Sequence, residues 1–212
     1  TKYVAMPVSS DAQEHYVAIL DNESKKNKKQ FVPNYTTIDK FNLKIAGDFN
    51  YENATAAIAI ANALGINENT DQKALHAIEN VQISGRMEVF KDTKSNTVAI
   101  VDYAHNYIST KSVVDFVYDK YGNNDLRITL VTGSTGDKAV DRRKEIVQAA
   151  QDRINQFVFT QEDTNVEDEM DICKYMQSCV TNPNVESRII INRAEAIEYS
   201  VEEARKDARE NN

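Results

Sequence analysis

The chain has 212 residues, 41 % of them hydrophobic, so it can bury the core of one large domain or two small ones. Its 25 basic and 33 acidic residues give a formal net charge of −8, and no concentrated basic face predicts a nucleic-acid partner. No apolar stretch approaches the roughly 20 residues of a membrane span, no secretion signal opens the sequence, and the two cysteines fit a reducing compartment, so we expect a cytoplasmic protein without a membrane partner.

The first part of the chain predicts strands followed by helices. Short apolar runs with polar spacers (YVAM, YVAIL, QFVP and FNLKI) occupy residues 1–45 and indicate the edge of a sheet. The segment NATAAIAIANALG then predicts a helix that ends at Gly65, and a second helix is expected at about residues 71–80. The buried face of the first helix is predicted from its helical spacing to contain Ala54, Ala57, Ile58, Ala61 and Leu64.

The pattern changes near Val81 to Arg86, where we place a boundary between domains at residues 1–85 and 86–212. The segments RMEVF and TVAIV predict a hairpin, and strands TVAIV, RITLVT, QFVFT and RIIIN then alternate with helices. This alternation predicts right-handed βαβ crossovers and an α/β fold with a doubly wound, mostly parallel, Rossmann-like sheet. The four helices are expected at about residues 109–121, 141–154, 167–180 and 194–206.

A polar cluster follows each of these four strands. Asp102 and His105 follow the first, GSTGDK the second, EDTN the third and NRAE the fourth. Ligands of open α/β sheets bind outside the carboxyl ends of the strands, so we predict a site at this edge. Each cluster taken alone also fits an ordinary loop, and Asp102 with His105 also fits a strand cap beside a surface histidine.

The segment GSTGDK, Gly133 to Lys138, is a candidate anion site because its backbone N–H groups could face an anion close to Lys138. It matches neither the Walker loop nor the dinucleotide fingerprint, and a tight turn between strand and helix explains it equally well. Arg142 and Arg143 open the next helix, where positive charge opposes the helix dipole. That placement favours a substrate carboxylate or phosphate as their partner.

Two further candidates lie near the domain boundary. Asn50 and Asn53 fit simple helix N-caps, but their spacing also suits amides that read an adenine edge. Arg86 follows a glycine and fits either a surface arginine or a guanidinium fixed at a phosphate.

The order GDFNYENATAAIAIANALGI, GRMEVF, VAIVDYAHN and GSTGDK…DRRK resembles that of the Mur ligases, from about Phe41 to Ala204. Within that family it is most similar to the branch that adds the third residue of the peptidoglycan stem peptide. The resemblance implies the end of a central, ATPase-type domain at residues 1–85 and the C-terminal domain, without its last segment, at 86–212. It implies ATP-binding residues at Asn50, Asn53, Arg86, Asp102 and His105, and substrate-binding residues at Lys138, Arg143, Glu162, Asp163 and Asn165.

The resemblance also implies the activity and its cofactors. The parent enzyme would be an ATP- and magnesium-dependent amide ligase whose small-molecule substrates are a UDP-muramoyl dipeptide, an amino acid and ATP. The family's phosphate loop, magnesium ligands and carbamylated lysine would precede Thr1, so no catalytic residue or metal ligand is expected in this chain, which alone would be inactive. The alternatives are another Mur ligase or a folylpolyglutamate-type ligase, or a doubly wound nucleotide-binding domain without ligase activity.

The loop after the third strand bears on which amino acid is added. Family members that add meso-diaminopimelate carry Asp-Asn-Pro-Arg there, and the arginine binds the distal carboxylate. The aligned positions here are Glu162, Asp163, Thr164 and Asn165. Because the arginine is absent and two carboxylates are present, we expect a distal ammonium to be favoured, and hence L-lysine. The alternative is that these carboxylates only complement the dipole of the following helix.

Overall fold

The computed structural model divides the chain into two compact units, Thr1–Glu88 and Val89–Asn212. The backbone is described for residues 3–7, 14–20, 35–64, 77–122 and 126–210.

The first unit contains a three-stranded antiparallel sheet in the order β1–β2–β3. The strands are β1 (Tyr3–Pro7), β2 (Glu14–Leu20) and β3 (Tyr35–Asn42). Two predicted strands, YVAM and YVAIL, are confirmed. The QFVP run lies outside the described residues, and FNLKI contributes only its first two residues to β3.

Helix α1 (Phe49–Ala63) follows and packs its Tyr51, Ala54 and Ile58 side chains in a cluster with Phe41. These positions recur at helical spacing, and the Tyr51 ring lies 5.6 Å from that of Phe41 between centroids.

The predicted small-residue face of α1 is partly wrong. Ala57 is exposed and Leu64 is 70 % exposed. Thr55 is buried beside Ala54 instead, because its hydroxyl can donate to the Tyr51 carbonyl at 2.7 Å and so needs no water. The predicted end at Gly65 lies outside the described residues, as does the following helix up to residue 76; residues 77–79 are helical.

The second unit combines a hairpin with a parallel sheet. Strands β4 (Glu88–Asp92) and β5 (Thr97–Val101) pair with each other, as the hairpin prediction required. Strands β6 (Thr129–Thr132), β7 (Gln156–Phe159) and β8 (Glu186–Ile189) form a parallel sheet in that order. The expectation that TVAIV opens the parallel sheet is wrong within the described residues: β5 pairs with β4, a partner that a four-residue turn brings close at little entropic cost.

Both faces of the parallel sheet are covered. All four residues of β7 are buried, as expected of a central parallel strand. Phe157 and Phe159 point to one face, where their rings stack at 5.1 Å within a core that includes Ile146, Val147 and Met176. Val158 points the other way and is also fully buried. The continuous apolar run of Phe157, Val158 and Phe159 is therefore the signature of a strand between two helical layers.

Four helices connect and flank these strands. They are α2 (Tyr107–Tyr121), α3 (Asp141–Ala150), α4 (Glu169–Ser178) and α5 (Arg193–Glu210), so each predicted helix is confirmed with shifts at its ends. Helix α3 contacts both α2 and α4, whereas α5 contacts β5, β6 and β7. No helix in the described ranges has the length and apolar character that a membrane crossing needs.

The cysteines take the structural role expected of them. Both are free thiols, and Cys173 is buried in the main core. Burial raises the pKa of the Cys173 thiol to about 11, with a smaller contribution from the Glu169 carboxylate, so this thiol stays protonated and unreactive at neutral pH.

Candidate functional site

The parallel register brings three of the four polar clusters to one edge. Thr132, Phe159 and Ile189 end β6, β7 and β8 in neighbouring positions. The segments that follow are named here the first loop (residues 133–140), the second loop (160–168) and the third loop (190–192). Their convergence at the carboxyl edge is the arrangement the sequence predicts.

The glycines of the first loop allow the second loop to approach closely. A Cβ at Gly133 would overlap the carbonyl oxygen of Thr160, and a Cβ at Gly136 would overlap that of Thr164. The Gly136 N–H also donates to the Asp163 carbonyl at 3.0 Å. The expectation that these glycines open the backbone to an anion is therefore not what this structure shows at Gly136, where the backbone N–H already has a protein partner.

Asn165 in the second loop makes a further hydrogen bond to Gly136 in the first loop. Its side-chain amide donates to the Gly136 carbonyl at 3.1 Å, and its own backbone is left-handed, with φ of 50°. The residue at the predicted specificity position thus contributes to loop structure.

Glu167 is a residue of this edge that sequence reasoning missed. Its Oε1 accepts the backbone N–H of Asp137 at 2.5 Å and Nη2 of Arg143 at 2.8 Å. The hydrogen bond from Arg143, followed by that from Asp137, lowers the pKa of the Glu167 carboxyl. The ionised Glu167 carboxylate therefore stabilises the folded state at any pH above the ordinary glutamate pKa. This stabilisation is lost as the pH falls through the lowered pKa of the folded protein. In the sequence, Glu167 stands where the predicted helix 167–180 begins, and an acid at a helix start is explained by the helix dipole alone.

Arg143 is an internal residue of this edge, with a side chain only 7 % exposed. Besides Glu167, its Nη2 donates to the Thr135 carbonyl at 3.2 Å. Its Nε is buried and has no hydrogen-bond partner among the described residues. A substrate contact by Arg143 would have to use Nε or Nη1, because Nη2 is bonded within the chain.

Three charged candidates are still available for a ligand. Lys138 and Asp163 are exposed and Glu162 is half-buried. In the described part of the chain, none of these three side chains makes a hydrogen bond or an ion pair. The two loops therefore present one cation and two anions whose charges have no internal partner.

Arg193 braces the second loop from the start of α5, and sequence reasoning did not single it out. Its Nε and Nη2 both donate to the Gln161 carbonyl, at 3.0 and 2.5 Å. The Thr160 hydroxyl donates to the Ile191 carbonyl at 2.9 Å. The second loop is thus held on both sides, by the first loop and by the third.

The DYAHN segment follows β5 and leads into α2. His105 Nδ1 lies 2.9 Å from the Tyr103 carbonyl oxygen, which can only accept, so Nδ1 is the donor in this contact. Asn106 caps α2 in a capping box with Ser109, which is why the helix begins at Tyr107. Asp102 is half-buried and precedes the cap residue Asn106 by four positions in the sequence.

In the first unit, Asn50 and Asn53 form one hydrogen-bonded pair. Asn50 Nδ2 donates to the Ala46 carbonyl at 2.7 Å, and Asn53 Nδ2 donates to Asn50 Oδ1 at 3.2 Å. Both residues lie inside α1, so neither is the simple N-cap that the alternative required. Arg86 is exposed and follows Gly85, whose positive φ of 72° turns the chain there.

Comparison with known proteins shows which family model and which relatives this chain matches. Residues 85–209 match the family model for the Mur ligase, glutamate ligase domain. A UDP-N-acetylmuramyl-tripeptide synthetase of Bifidobacterium longum (strain NCC 2705) is 56 % identical over 168 residues, covering 79 % of this chain and 32 % of the relative. A UDP-N-acetylmuramoyl-L-alanyl-D-glutamate--L-lysine ligase of Enterococcus faecalis (strain ATCC 700802 / V583) is 34 % identical over 161 residues, or 76 % and 30 % of the two chains.

Among solved structures, the folylpolyglutamate synthase of Mycobacterium tuberculosis in complex with ADP and AMPPCP shares the fold with a TM-score of 0.69. The two sequences are 16 % identical, and the match covers 95 % of this chain and 41 % of the synthase chain. The chain thus spans about a third of the curated relatives it matches and less than half of this structure.

Proposed function

Because the chain belongs to the Mur ligase family, through the glutamate ligase domain at residues 85–209, we propose that it is part of an ATP-dependent amide ligase. The reaction adds the third amino acid to UDP-N-acetylmuramoyl-L-alanyl-D-glutamate. The observation that supports this site is the pair of linked loops, which present Lys138, Glu162 and Asp163 without internal partners. We assign residues 1–85 to the end of the central domain and 86–212 to the C-terminal domain.

In the proposed reaction, a substrate carboxylate takes the γ-phosphoryl group of ATP. The amino group of the incoming amino acid attacks the acyl phosphate, and phosphate leaves as the amide forms. Among the described residues, no group of three or more His, Cys, Asp or Glu side chains is placed to hold a metal ion, and the magnesium requirement is proposed for the full-length enzyme. The test is ATP-dependent formation of the tripeptide by the full-length enzyme; product from a folate substrate instead would favour the folylpolyglutamate-type alternative.

We assign ATP contacts to five residues that offer suitable groups. The linked amides of Asn50 and Asn53 suit an adenine edge, and the exposed guanidinium of Arg86 suits a phosphate. The carboxylate of Asp102 suits a ribose hydroxyl, and His105, whose Nδ1 donates to the Tyr103 carbonyl, offers its Nε2 for a further hydrogen bond. These are binding roles, and none of the five is assigned to the chemical step.

L-lysine is the proposed incoming amino acid. Lys138 would hold the α-carboxylate that all candidate amino acids share, while Glu162 and Asp163 would attract a distal ammonium and repel a distal carboxylate. Asn165 supplies an amide, not a guanidinium, and that amide is already bonded to Gly136. The name of the 34 % identical Enterococcus relative specifies L-lysine, which agrees with this reading.

We therefore expect kcat/KM for L-lysine to exceed that for meso-diaminopimelate by at least about tenfold, or about 1.4 kcal/mol, in the full-length enzyme. Steady-state ligation assays with each amino acid measure this ratio. A Glu162→Gln, Asp163→Asn double variant keeps the shapes and removes both charges, so its preference should shrink. An unchanged preference in that variant would mean that the two carboxylates only complement the dipole of α4.

The 212-residue chain by itself should bind Mg-ATP weakly and show no ligase activity. Its sequence contains no GxxGK[ST] loop, and its described residues form no metal site that could compensate the charge of a triphosphate. Isothermal titration calorimetry with Mg-ATP measures the affinity. A sub-micromolar Kd would contradict the assignment of the phosphate-binding parts to other regions of the enzyme.

A further inference from the structure

Glu167 is the point at which the first and second loops are joined by charge as well as by backbone contact. We propose that Glu167 is a positioning residue for the incoming amino acid, which fixes the backbone at Lys138 relative to Glu162 and Asp163. This inference rests on the proposed function, because it concerns the same site.

One carboxylate oxygen organises the first loop. Oε1 of Glu167 accepts the N–H of Asp137, the residue directly before Lys138. Asp137 and Ala139 are both left-handed, with φ of 57° and 48°, so Lys138 lies between two backbone conformations that non-glycine residues adopt at an energetic cost. The bond from Glu167 offsets part of that cost and fixes the position from which the Lys138 side chain extends.

The same oxygen is the charged partner of a buried cation. Arg143 is buried and donates to Glu167 and to the Thr135 carbonyl, so it ties the second loop to the start of the first. Removal of the carboxylate would leave a buried guanidinium without a counter-charge, a state that proteins avoid by local rearrangement. The first loop would rearrange, because Asp137 lies in this loop and Arg143 lies in α3, the helix that directly follows it.

A fixed distance between the loops has a consequence for selectivity. One end of the amino acid would be held at Lys138 and the other at Glu162 and Asp163, so the distance between these groups sets the length of side chain that is accepted. Glu167 should therefore affect discrimination between L-lysine and L-ornithine, which is one methylene shorter. A general loss of stability would not change that ratio.

The test compares Glu167→Ala and Glu167→Gln in the full-length enzyme, with Glu169→Ala as a matched control. Glu169 is an exposed acid in the first turn of α4, two residues after Glu167, and among the described residues its side chain makes no bond to the first loop. We expect Glu167→Ala to raise KM for L-lysine about tenfold and KM for ATP by no more than about twofold. Glu167→Gln should recover part of this loss, because it keeps an acceptor oxygen for Asp137 but removes the counter-charge of Arg143, and Glu169→Ala should match the wild type.

Hydrogen exchange in the same proteins gives a measurement that does not depend on ligation. The Asp137 amide should lose protection in Glu167→Ala and keep more of it in Glu167→Gln, which retains the acceptor oxygen. Unchanged protection of that amide, an unchanged L-lysine to L-ornithine ratio, or equal rises in KM for L-lysine and ATP would each overturn the inference. If the wild-type enzyme forms no tripeptide with any amino acid, the proposed function fails, and exchange at Asp137 still decides whether Glu167 fixes the loop.

Discussion

Replacing Gly136 with alanine in the full-length enzyme should lower kcat/KM for the incoming amino acid by about a hundredfold, the loss typical of a 1 Å misplacement at a site. The added Cβ would overlap the carbonyl oxygen, carbonyl carbon and Cα of Thr164. These are backbone atoms, so no side-chain rotation can relieve the overlap, and the two loops must move apart. Lys138 would then be displaced relative to Glu162 and Asp163. Steady-state ligation kinetics with varied L-lysine measure the effect.

The control for this prediction is Ser134→Ala in the same loop. Ser134 is also buried, but its replacement removes an atom and adds none against the second loop. We expect its kcat/KM to stay within about threefold of the wild type. Circular dichroism should show that the Gly136→Ala variant keeps its secondary structure, because the overlap lies outside the core around Phe157 and Phe159. Wild-type kinetics in Gly136→Ala would show that the spacing of the loops does not govern amino-acid use.

Replacing Asp102 with alanine should raise KM for ATP by roughly ten- to a hundredfold, with smaller changes for the other two substrates. A hydrogen bond from a sugar hydroxyl to a carboxylate contributes about 1.5 to 3 kcal/mol, which corresponds to that range. The cap of α2 is formed by Asn106 and Ser109, so Asp102 is not needed to explain where that helix begins. Initial-rate measurements with each substrate varied in turn separate the effects.

A suitable control is Asp119→Ala on α2. Asp119 is 73 % exposed at the side chain and, among the described residues, pairs with Arg153 alone, at 3.4 Å, so its removal should change KM for ATP by no more than about twofold. If Asp102→Ala behaves like this control, Asp102 is a residue of the strand end with no part in nucleotide binding.

Local signals in the sequence were sufficient to predict the main elements of the second unit. The run of Phe157, Val158 and Phe159 is apolar on both faces and marks a strand that helices cover on both sides. The helices on either side of it follow from side-chain spacing, as at Ile172, Cys173 and Met176, all of which are buried. The carboxyl edge could be predicted as the site because parallel strands place their following loops together, whatever those loops contain.

Contacts between distant residues could not be predicted in this way. Glu167 is 24 residues from Arg143, and nothing in either local sequence indicates that they pair. The closeness of the loops at Gly136 and Thr164 likewise depends on the register of β6 against β7. The pairing of β5 with β4 was predicted as a hairpin, but its absence from the three-stranded parallel sheet follows only from the folded structure.

A competition assay tests the central claim most directly. The full-length enzyme is given UDP-N-acetylmuramoyl-L-alanyl-D-glutamate, Mg-ATP and equal concentrations of L-lysine and meso-diaminopimelate, and mass spectrometry measures the ratio of the two tripeptide products. We predict ATP-dependent product with at least about ten lysine tripeptides for each diaminopimelate tripeptide. A majority of diaminopimelate product would contradict the assignment of Glu162 and Asp163, and the absence of any ATP-dependent product would contradict the ligase itself.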